Sequence, residues 1–262
     1  MIKKIITHAG VFHADEVLAV AILRYYGINC QVERKFNVSP EELNDPSILV
    51  LDVAKVHDPM LGNFDHHQSA DMPATDVLVA HWLVENGLMP SEVFDGMLDF
   101  LNYISDVDRG IIPAGGPAAS FNGIIRSMNP VNVSDPAESN NAFELAVQMA
   151  EKILYYQIKT AERAVEDEKV WKQLERFMGG KVVIQEDNYQ LANWTKLAER
   201  DDVLFMVTPN LRTPGAWQII SRDSKLYNIP VDARQTFRHP SGFMAVYASK
   251  EDAIGHVEEM VK

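Results

Sequence analysis

The sequence predicts an α/β protein: a largely parallel sheet with flanking helices, followed by a smaller carboxyl-terminal α/β unit. Three observations carry this expectation. Strand-like and helix-like patterns alternate from Lys3 to His67. The run "PSILVLDV" is apolar almost throughout, as a strand buried on both faces would be. Past the pair Gly179–Gly180 a second series of strand and helix patterns begins.

"KKIITH" reads as a short β-rich run that delivers Thr7 and His8. "ADEVLAVAILRYYG" sets apolar residues on helical spacing, with Gly27 as a stop signal. "CQVER" is a second strand, "PSILVLDV" a third ending at Asp52, and "LGNFDHH" a fourth ending at the histidines. From about Asp76 the texture turns helical, with "DVLVAHWLVENG" and then "SEVFDGMLDFLNYISDVDRG". Residues 111–135 read as turns around one short helix, "AASFNGIIRSM". The pattern "NNAFELAVQMAEKILYYQIKTAERAVEDEKVWKQLERFM" is too long for an average helix, so it either bridges two domains or breaks once. "KVVIQE", "DVLFMVTP", "WQIISR" and "SGFMAVYA" then read as strands, with "NWTKLAER" and "KEDAIGHVEEMV" as helices. Two domains are expected, 1–178 and 179–262, with the long helix in the first.

Composition narrows the class of function. With 47% hydrophobic residues, a chain of 262 can build the core of one large domain or two smaller ones. It has no apolar run long enough to span a membrane and no signal-peptide-like apolar stretch at its start. A single cysteine, Cys30, excludes an internal disulfide and a cysteine-based zinc site. The expected compartment is therefore cytoplasmic, with no membrane partner; a homo-oligomer is compatible with the sequence. The net charge of -13 argues against a broad basic surface for long nucleic acid. It leaves room for bound divalent cations and for a small anionic substrate drawn to them.

The acids and histidines fall near the ends of the expected strands. They are His8, then His13 and Asp15 in the following segment, Asp52, the trio Asp65, His66 and His67, and Asp106 and Asp108 at a helix end. Ligands collect at the carboxyl ends of strands in open α/β sheets. Mixed imidazole and carboxylate donors suit manganese, and also zinc or iron. A pair of metals needs a shared carboxylate. Asp52 is the candidate, because it ends an apolar strand where an unpaired charge is costly. Plainer readings stand beside these. His81 and His256 read as core or surface residues, Asp15 and Glu16 as first-turn acids favoured by the helix dipole, and Asp106 and Asp108 as helix-end acids. If the fourth strand runs through the trio, Asp65 and His67 share one face and His66 takes the other, so the two histidines are expected to point apart.

These residues resemble the DHH phosphoesterase superfamily, whose Asp-His-His triplet stands here as Asp65-His66-His67. More narrowly, "THAGVFHADEVLAVAIL" and "LDVAKVHDPMLGNFDHHQ" resemble the two signature segments of the melanocyte proliferating gene family, also labelled a family of metal-dependent protein hydrolases. "DVDRG", "IRSMNP" and "FRHPSGFMAVYASKEDAI" are looser matches in the expected order. The resemblance implies two divalent metal ions, with manganese the expected metal. One would take His8, His13 and Asp52. The other would take Asp15, Asp52, His66 and either Asp106 or Asp108. Asp65 would orient a histidine and His67 would face the substrate phosphate, so these two make up the catalytic group beyond the metal ligands. Many superfamily members offer an aspartate where this chain has His13, and the spacing from His8 is one residue longer here. An imidazole in that place lowers the negative charge of the site and can change the preferred metal.

Arg126 is the first candidate for clamping the substrate, with Asn129 as a neutral donor and Arg109, Arg238 and His239 as further candidates. Gly242 would let backbone amides approach a phosphate or nucleotide. The resemblance implies a metal-dependent phosphoesterase, 3'-5' exonuclease-like on RNA or short oligonucleotides, acting through a water that the two metals activate, with the carboxyl-terminal domain capping the substrate. The alternatives are hydrolysis of a small phosphate compound or a cyclic dinucleotide, and a metal-stabilised binding protein without turnover. Peptide hydrolysis is set aside, because the DHH arrangement goes with phosphoryl chemistry.

Overall fold

A computed structural model describes residues 1–113 and 120–261. Residues 118 and 119, the start of the expected short helix, lie outside the described residues. The chain divides into two compact units, Met1–Glu162 and Arg163–Lys262. The first unit holds β1 (Lys4–Thr7), α1 (Ala14–Tyr25), β2 (Gln31–Arg34), α2 (Pro40–Leu43), β3 (Ile48–Leu51), β4 (Asn63–Phe64), α3 (Thr75–Glu85), α4 (Ser91–Asp108) and α5 (Phe121–Ser127). It also holds most of α6 (Pro136–Gln173).

Its sheet has the order β2-β1-β3-β4 with every pairing parallel. Strand periodicity sorts the side chains onto two faces. Ile5 pairs in register with Leu49, and both enter the main core with Leu51 and with residues of α1, α3, α4, α5 and α6. Ile6 pairs with Val50, and these enter a thinner layer with Ile48, Val53, Val38 and Leu43. Cover on both faces is the reason β3 is apolar throughout. A parallel arrangement also sends all the strand carboxyl ends to one edge.

Helix α1 is unusual in having no polar face. Every residue from Ala14 to Leu23 is buried, Asp15 and Glu16 included. Its first turn is closed by His13, whose backbone N–H donates to Glu16 Oε1 at 2.8 Å. A surface helix keeps its acids in water; here the fold carries two carboxylates inward at the edge where the strands end.

Four local expectations are corrected. Helix α6 begins at Pro136, earlier than its apolar pattern suggests, and runs unbroken to Gln173. The tail "ERFM" does not continue it: β5 (Glu175–Phe177) pairs antiparallel with β6 (Val182–Ile184). Gly179 and Gly180 then form the turn between those strands, both at positive φ, rather than a joint between domains. Strand β4 stops at Phe64, so the Asp65–His67 trio lies beyond it.

The second unit continues with α7 (Trp194–Arg200), β7 (Phe205–Pro209), β8 (Trp217–Ser221), β9 (Gln235–Arg238), β10 (Met244–Tyr247) and α8 (Lys250–Met260). Its sheet runs β5-β6-β7-β8-β10-β9, and among the described residues only the β6–β7 pairing is parallel. Among the described residues no helix is long and apolar enough to cross a membrane.

Within the first unit, α4 meets α6 at Gly96. A Cβ there would stand 2.7 Å from the Ala161 Cβ and 3.0 Å from its Cα. Gly96→Ala is therefore expected to lower stability by about 1–3 kcal/mol through overpacking, against the helix-propensity gain of up to about 1 kcal/mol. Urea denaturation measures the sign; a stabilised variant contradicts the packing described.

Candidate metal centre

At the carboxyl edge of the first sheet, β1 delivers His8, β3 delivers Asp52 and β4 delivers Asp65–His67. The amino terminus of α1 adds His13, Asp15 and Glu16, and the carboxyl terminus of α4 adds Asp108. Asp52 is the hub. It is buried and sits at φ 55°, a left-handed conformation that aspartate tolerates better than most residues. Its Oδ1 lies 3.3 Å from His66 Nε2 and 3.5 Å from His67 Nδ1, and its Oδ2 lies 3.4 Å from His8 Nε2. The Thr75 hydroxyl, at the start of α3, donates to Oδ1 at 3.2 Å.

Around this hub, His8 Nε2 is 2.8 Å from Glu16 Oε1. His66 Nε2 is 3.1 Å from Asp108 Oδ2 and 4.0 Å from Asp15 Oδ2. His13 Nδ1 is 3.7 Å from Asp108 Oδ1. The backbone N–H of Thr75 donates to Asp15 Oδ2 at 3.4 Å.

The two adjacent histidines do not point apart as strand alternation predicts. Their ring centroids are 4.5 Å from each other, and both reach Asp52. The reason is that β4 ends before them, so the period of two does not extend through the trio. Their environments still differ: the His66 side chain is 8% exposed and that of His67 is 48% exposed. Asp65 accepts from the His67 backbone N–H at 2.8 Å and lies 2.9 Å from its Nδ1, both through Oδ1; its Oδ2 accepts from the Lys55 backbone N–H at 2.9 Å.

The charges are strongly coupled to their surroundings. Burial works against a charge on His8, yet Glu16 and Asp52 push it up to about 11. His66 is likewise disfavoured by burial and is pushed up to about 10 by Asp108 and Asp52. Burial opposes the charge on Asp52, but His66 and His8 hold its carboxyl well below the usual range. Asp15 is pushed well up by burial and by the neighbouring carboxylates of Asp52 and Asp108. Asp76, in the first turn of α3, is pushed well up by burial.

Asp15 Oδ1, Glu16 Oε2 and Asp52 Oδ2 are buried atoms that lack a hydrogen-bond partner among the described residues, while His8 Nε2 and His66 Nε2 face carboxylates as ion pairs. Buried polar atoms are ordinarily paired, and leaving them unpaired is costly. Donor atoms fall into three overlapping groups, each within 4.8 Å: His8, His13, Glu16 and Asp52; Asp52, His66 and His67; His13, Asp15 and Asp108. Imidazole and carboxylate oxygen are the donors of a manganese, zinc or iron(II) site. The residues present fit divalent cations on both counts.

The structure thus brings together His8, His13, Asp15, Asp52, Asp65, His66, His67 and Asp108. Asp106 stands apart from them. It pairs with Arg109 at 3.5 Å, and Arg109 also donates to the Ala70 carbonyl at 2.7 Å. Arg126 is exposed and lines a cavity of about 290 Å³ with His13, Asp108 and Asn122. Asn129 uses both ends of its amide on the Phe12 backbone, accepting from its N–H and donating to its carbonyl, each at 2.8 Å, which pins the loop that carries His13.

Arg238, His239 and Gly242 lie in the second unit. Arg238 donates to the Ile229 carbonyl at 2.6 Å and to Asn228 Oδ1 at 2.9 Å. His239 Nδ1 is 2.9 Å from Ser241 Oγ. Gly242 donates to the His239 carbonyl at 2.8 Å, and a Cβ on it would stand 2.6 Å from Arg238 Nη2 and against the Asn228 amide. Its φ of 69° and this crowding require glycine there, so the close approach is made by this unit's own side chains.

Four site residues escaped the sequence reading: Glu16 as a donor, Thr75, Asp76 and Lys55. Glu16 three residues after His13 carries the spacing of a helix cap, which hides its second role. Thr75 and Asp76 look like any helix start. Lys55 has no local signal at all.

Comparison with known proteins bears out the family resemblance over the segment that builds most of this site. Residues 4–76 match the model of the family MYG1_exonuc, described as "Uncharacterised protein family (UPF0160)". A MYG1 protein of Chlamydia pneumoniae is 33% identical over 136 residues, 49% of this chain and 45% of that protein. The match therefore spans less than half of that relative's length. Among solved structures, RecJ in complex with Mg2+ from Thermus thermophilus is similar at 15% identity and TM-score 0.28, over 99% of this chain and 49% of that one. Exonuclease RecJ bound to manganese is similar at 14% and 0.28, over 99% and 89%. An uncharacterized protein from Helicobacter pylori G27 is similar at 11% and 0.29, over 98% and 99%. At such TM-scores the fold stands on the strand order described above.

The raised values of His8 and His66 set a pH dependence. In protein stripped of divalent cations, the folded state holds these protons more tightly than the unfolded chain does, so their contribution is full below the unfolded value of 6.5. It is lost as pH rises toward the folded values of about 11 and about 10. The raised Asp15 and Asp76 act in the same direction, their contribution falling above the ordinary carboxyl value. The thermal midpoint of chelator-treated protein is expected to fall between about pH 6.5 and pH 9. A midpoint that rises over that range contradicts these electrostatics.

Proposed function

We propose that the protein is a metal-dependent phosphoesterase that cleaves phosphodiester bonds, with an exonuclease-like action on RNA or short oligonucleotides. The observation that supports this reading is the convergence of seven donors, His8, His13, Asp15, Glu16, Asp52, His66 and Asp108, at one sheet edge with buried atoms left unpartnered. The name of the matching family model agrees with it. One cation would be held by His8, His13 and Asp52, with Glu16 beside them; a second would be held by Asp15, Asp52, His66 and Asp108. Manganese is the proposed metal. Two such cations activate a water and offset charge on phosphoryl oxygens.

The chain's own residues do the rest. Asp52 presents one oxygen toward His8 and the other toward His66, so it is placed to serve both positions. Asp65 is acceptor-only when ionised, so it holds the His67 ring by Nδ1 and leaves the other ring nitrogen for a substrate oxygen. Asn129 keeps the His13 loop in place through Phe12. Arg126 and Asn122 stand in the cavity next to His13 and Asp108, where the group beyond the scissile phosphate would lie. The net charge of -13 and the cavity of about 240 Å³ at the donor cluster favour a short oligonucleotide, or a small phosphodiester such as a cyclic dinucleotide, over long nucleic acid.

Hydrolysis of bis(p-nitrophenyl) phosphate and of a short RNA, with manganese and with chelator, tests the reading. Manganese-dependent release is expected; binding of manganese with no turnover of either substrate contradicts it. Asp52→Ala is expected to abolish both metal binding and turnover, whereas His67→Ala is expected to lower the rate by about 100-fold or more and leave metal affinity nearly unchanged. Asp108→Asn is expected to weaken metal binding by more than about tenfold, and Asp106→Asn by less than about twofold. Isothermal titration with manganese reads these differences, and equal losses at 106 and 108 contradict the assignment.

A further inference from the structure

The loop between β3 and β4 carries a feature that the metal ligands do not explain. Of the five non-glycine residues at positive φ among the described residues, three stand here: Asp52 at 55°, Ala54 at 85° and Lys55 at 56°. Side chains other than glycine adopt such angles at a conformational cost, and residues so held cluster at functional sites. A glycine would make the same bend without that cost. The lysine at 55 therefore brings something a glycine lacks, and what it brings is an ammonium group.

Lys55 is exposed and lines the cavity of about 240 Å³ whose other polar walls are His8, His13, Asp52, Asp65 and His67. It is the only lysine or arginine lining this cavity, and it makes no ion pair among the described residues. Its backbone is held at the cavity by the same carboxylate that orients His67. Asp65 Oδ2 accepts from Lys55 N–H at 2.9 Å, while Oδ1 serves His67. One buried aspartate thus holds both the His67 ring and the Lys55 backbone at this cavity. On a chain of net charge -13, a positive side chain beside the proposed cations adds to the local attraction for an anionic substrate.

We infer that Lys55 is a phosphate-binding residue, its ammonium receiving a phosphoryl oxygen of the substrate beside His67. This rests on the phosphoesterase reading for its substrate class, but it can fail separately from that reading. A strained loop and a carboxylate shared with His67 place the charge; the lysine stem lets it follow the phosphate. Arg126, in the neighbouring cavity, serves the part of the substrate beyond that phosphate.

The test is isothermal titration of inorganic phosphate into the manganese-loaded protein, with thermal midpoints recorded for each variant. Lys55→Ala and Lys55→Gly are expected to weaken phosphate binding alike, by about tenfold. Only the glycine variant relaxes the backbone, so its midpoint is expected to be at or above that of Lys55→Ala. Lys55→Arg is expected to retain binding within a few-fold. Wild-type affinity in both Lys55→Ala and Lys55→Gly overturns the inference, as does a wild-type protein that binds no phosphate. Loss in Lys55→Gly but not in Lys55→Ala assigns the effect to the backbone and also overturns it. Phosphate bound through Lys55 without turnover of any phosphodiester leaves the inference standing and defeats the activity reading alone. Turnover that is unaffected by Lys55, with phosphate binding also unaffected, does the reverse.

Discussion

A buried carboxylate at the end of an apolar strand is the constraint around which the first unit is arranged. Asp52 follows four buried aliphatic residues and is itself almost wholly removed from water. An ionised carboxylate in such a place is costly unless it is paired. Three histidines and a threonine hydroxyl surround it, yet Oδ2 still has no hydrogen-bond partner among the described residues. The same is true of one oxygen on each of Asp15 and Glu16. A protein that concentrates acids in its interior and leaves them short of protein partners is arranged for cations to complete the balance.

The fold supplies this arrangement in a physically direct way. All four strands of the first sheet run parallel, so each ends at the same edge. Helix α1 returns along the sheet with no solvent-facing side, which forces its first-turn acids inward rather than into water. Helix α3 points its amino terminus at Asp15 and Asp52 through Thr75, where helix dipoles favour negative charge. Helix α4 ends at the cluster, bringing Asp108 to His66 and His13. An acid at a helix carboxyl terminus is disfavoured by the dipole, and its presence there is offset by the two imidazoles it meets.

Much of this was legible in the chain itself, because its signals are local. The apolar run of β3, the helical period of α1 and the histidine-acid spacing each point to their structure directly. What the sequence concealed was concealed for physical reasons. Glu16 has the spacing of a capping residue, and the cap is real, so nothing marked its second role. The Asp65–His67 trio reads as part of a strand because its flanking residues alternate, but β4 stops at Phe64 and the rings turn together. The residues "ERFM" continue a helical period yet pair as a strand, since the partner β6 lies beyond the glycine turn and pairing is non-local. Asp106 and Asp108 differ by a rotation around α4 that no composition rule decides; packing turns Asp108 to His66 and Asp106 to Arg109.

Sharing of the Asp52 carboxylate between two cations is the point on which the proposed chemistry turns. Anomalous diffraction from manganese-soaked crystals, recorded at the manganese absorption edge, tests it most directly. Two peaks are predicted, one on each side of Asp52, the first within coordination distance of His8 and the second within coordination distance of His66. A map with no peak at Asp52, or with manganese held only by surface carboxylates, contradicts the account.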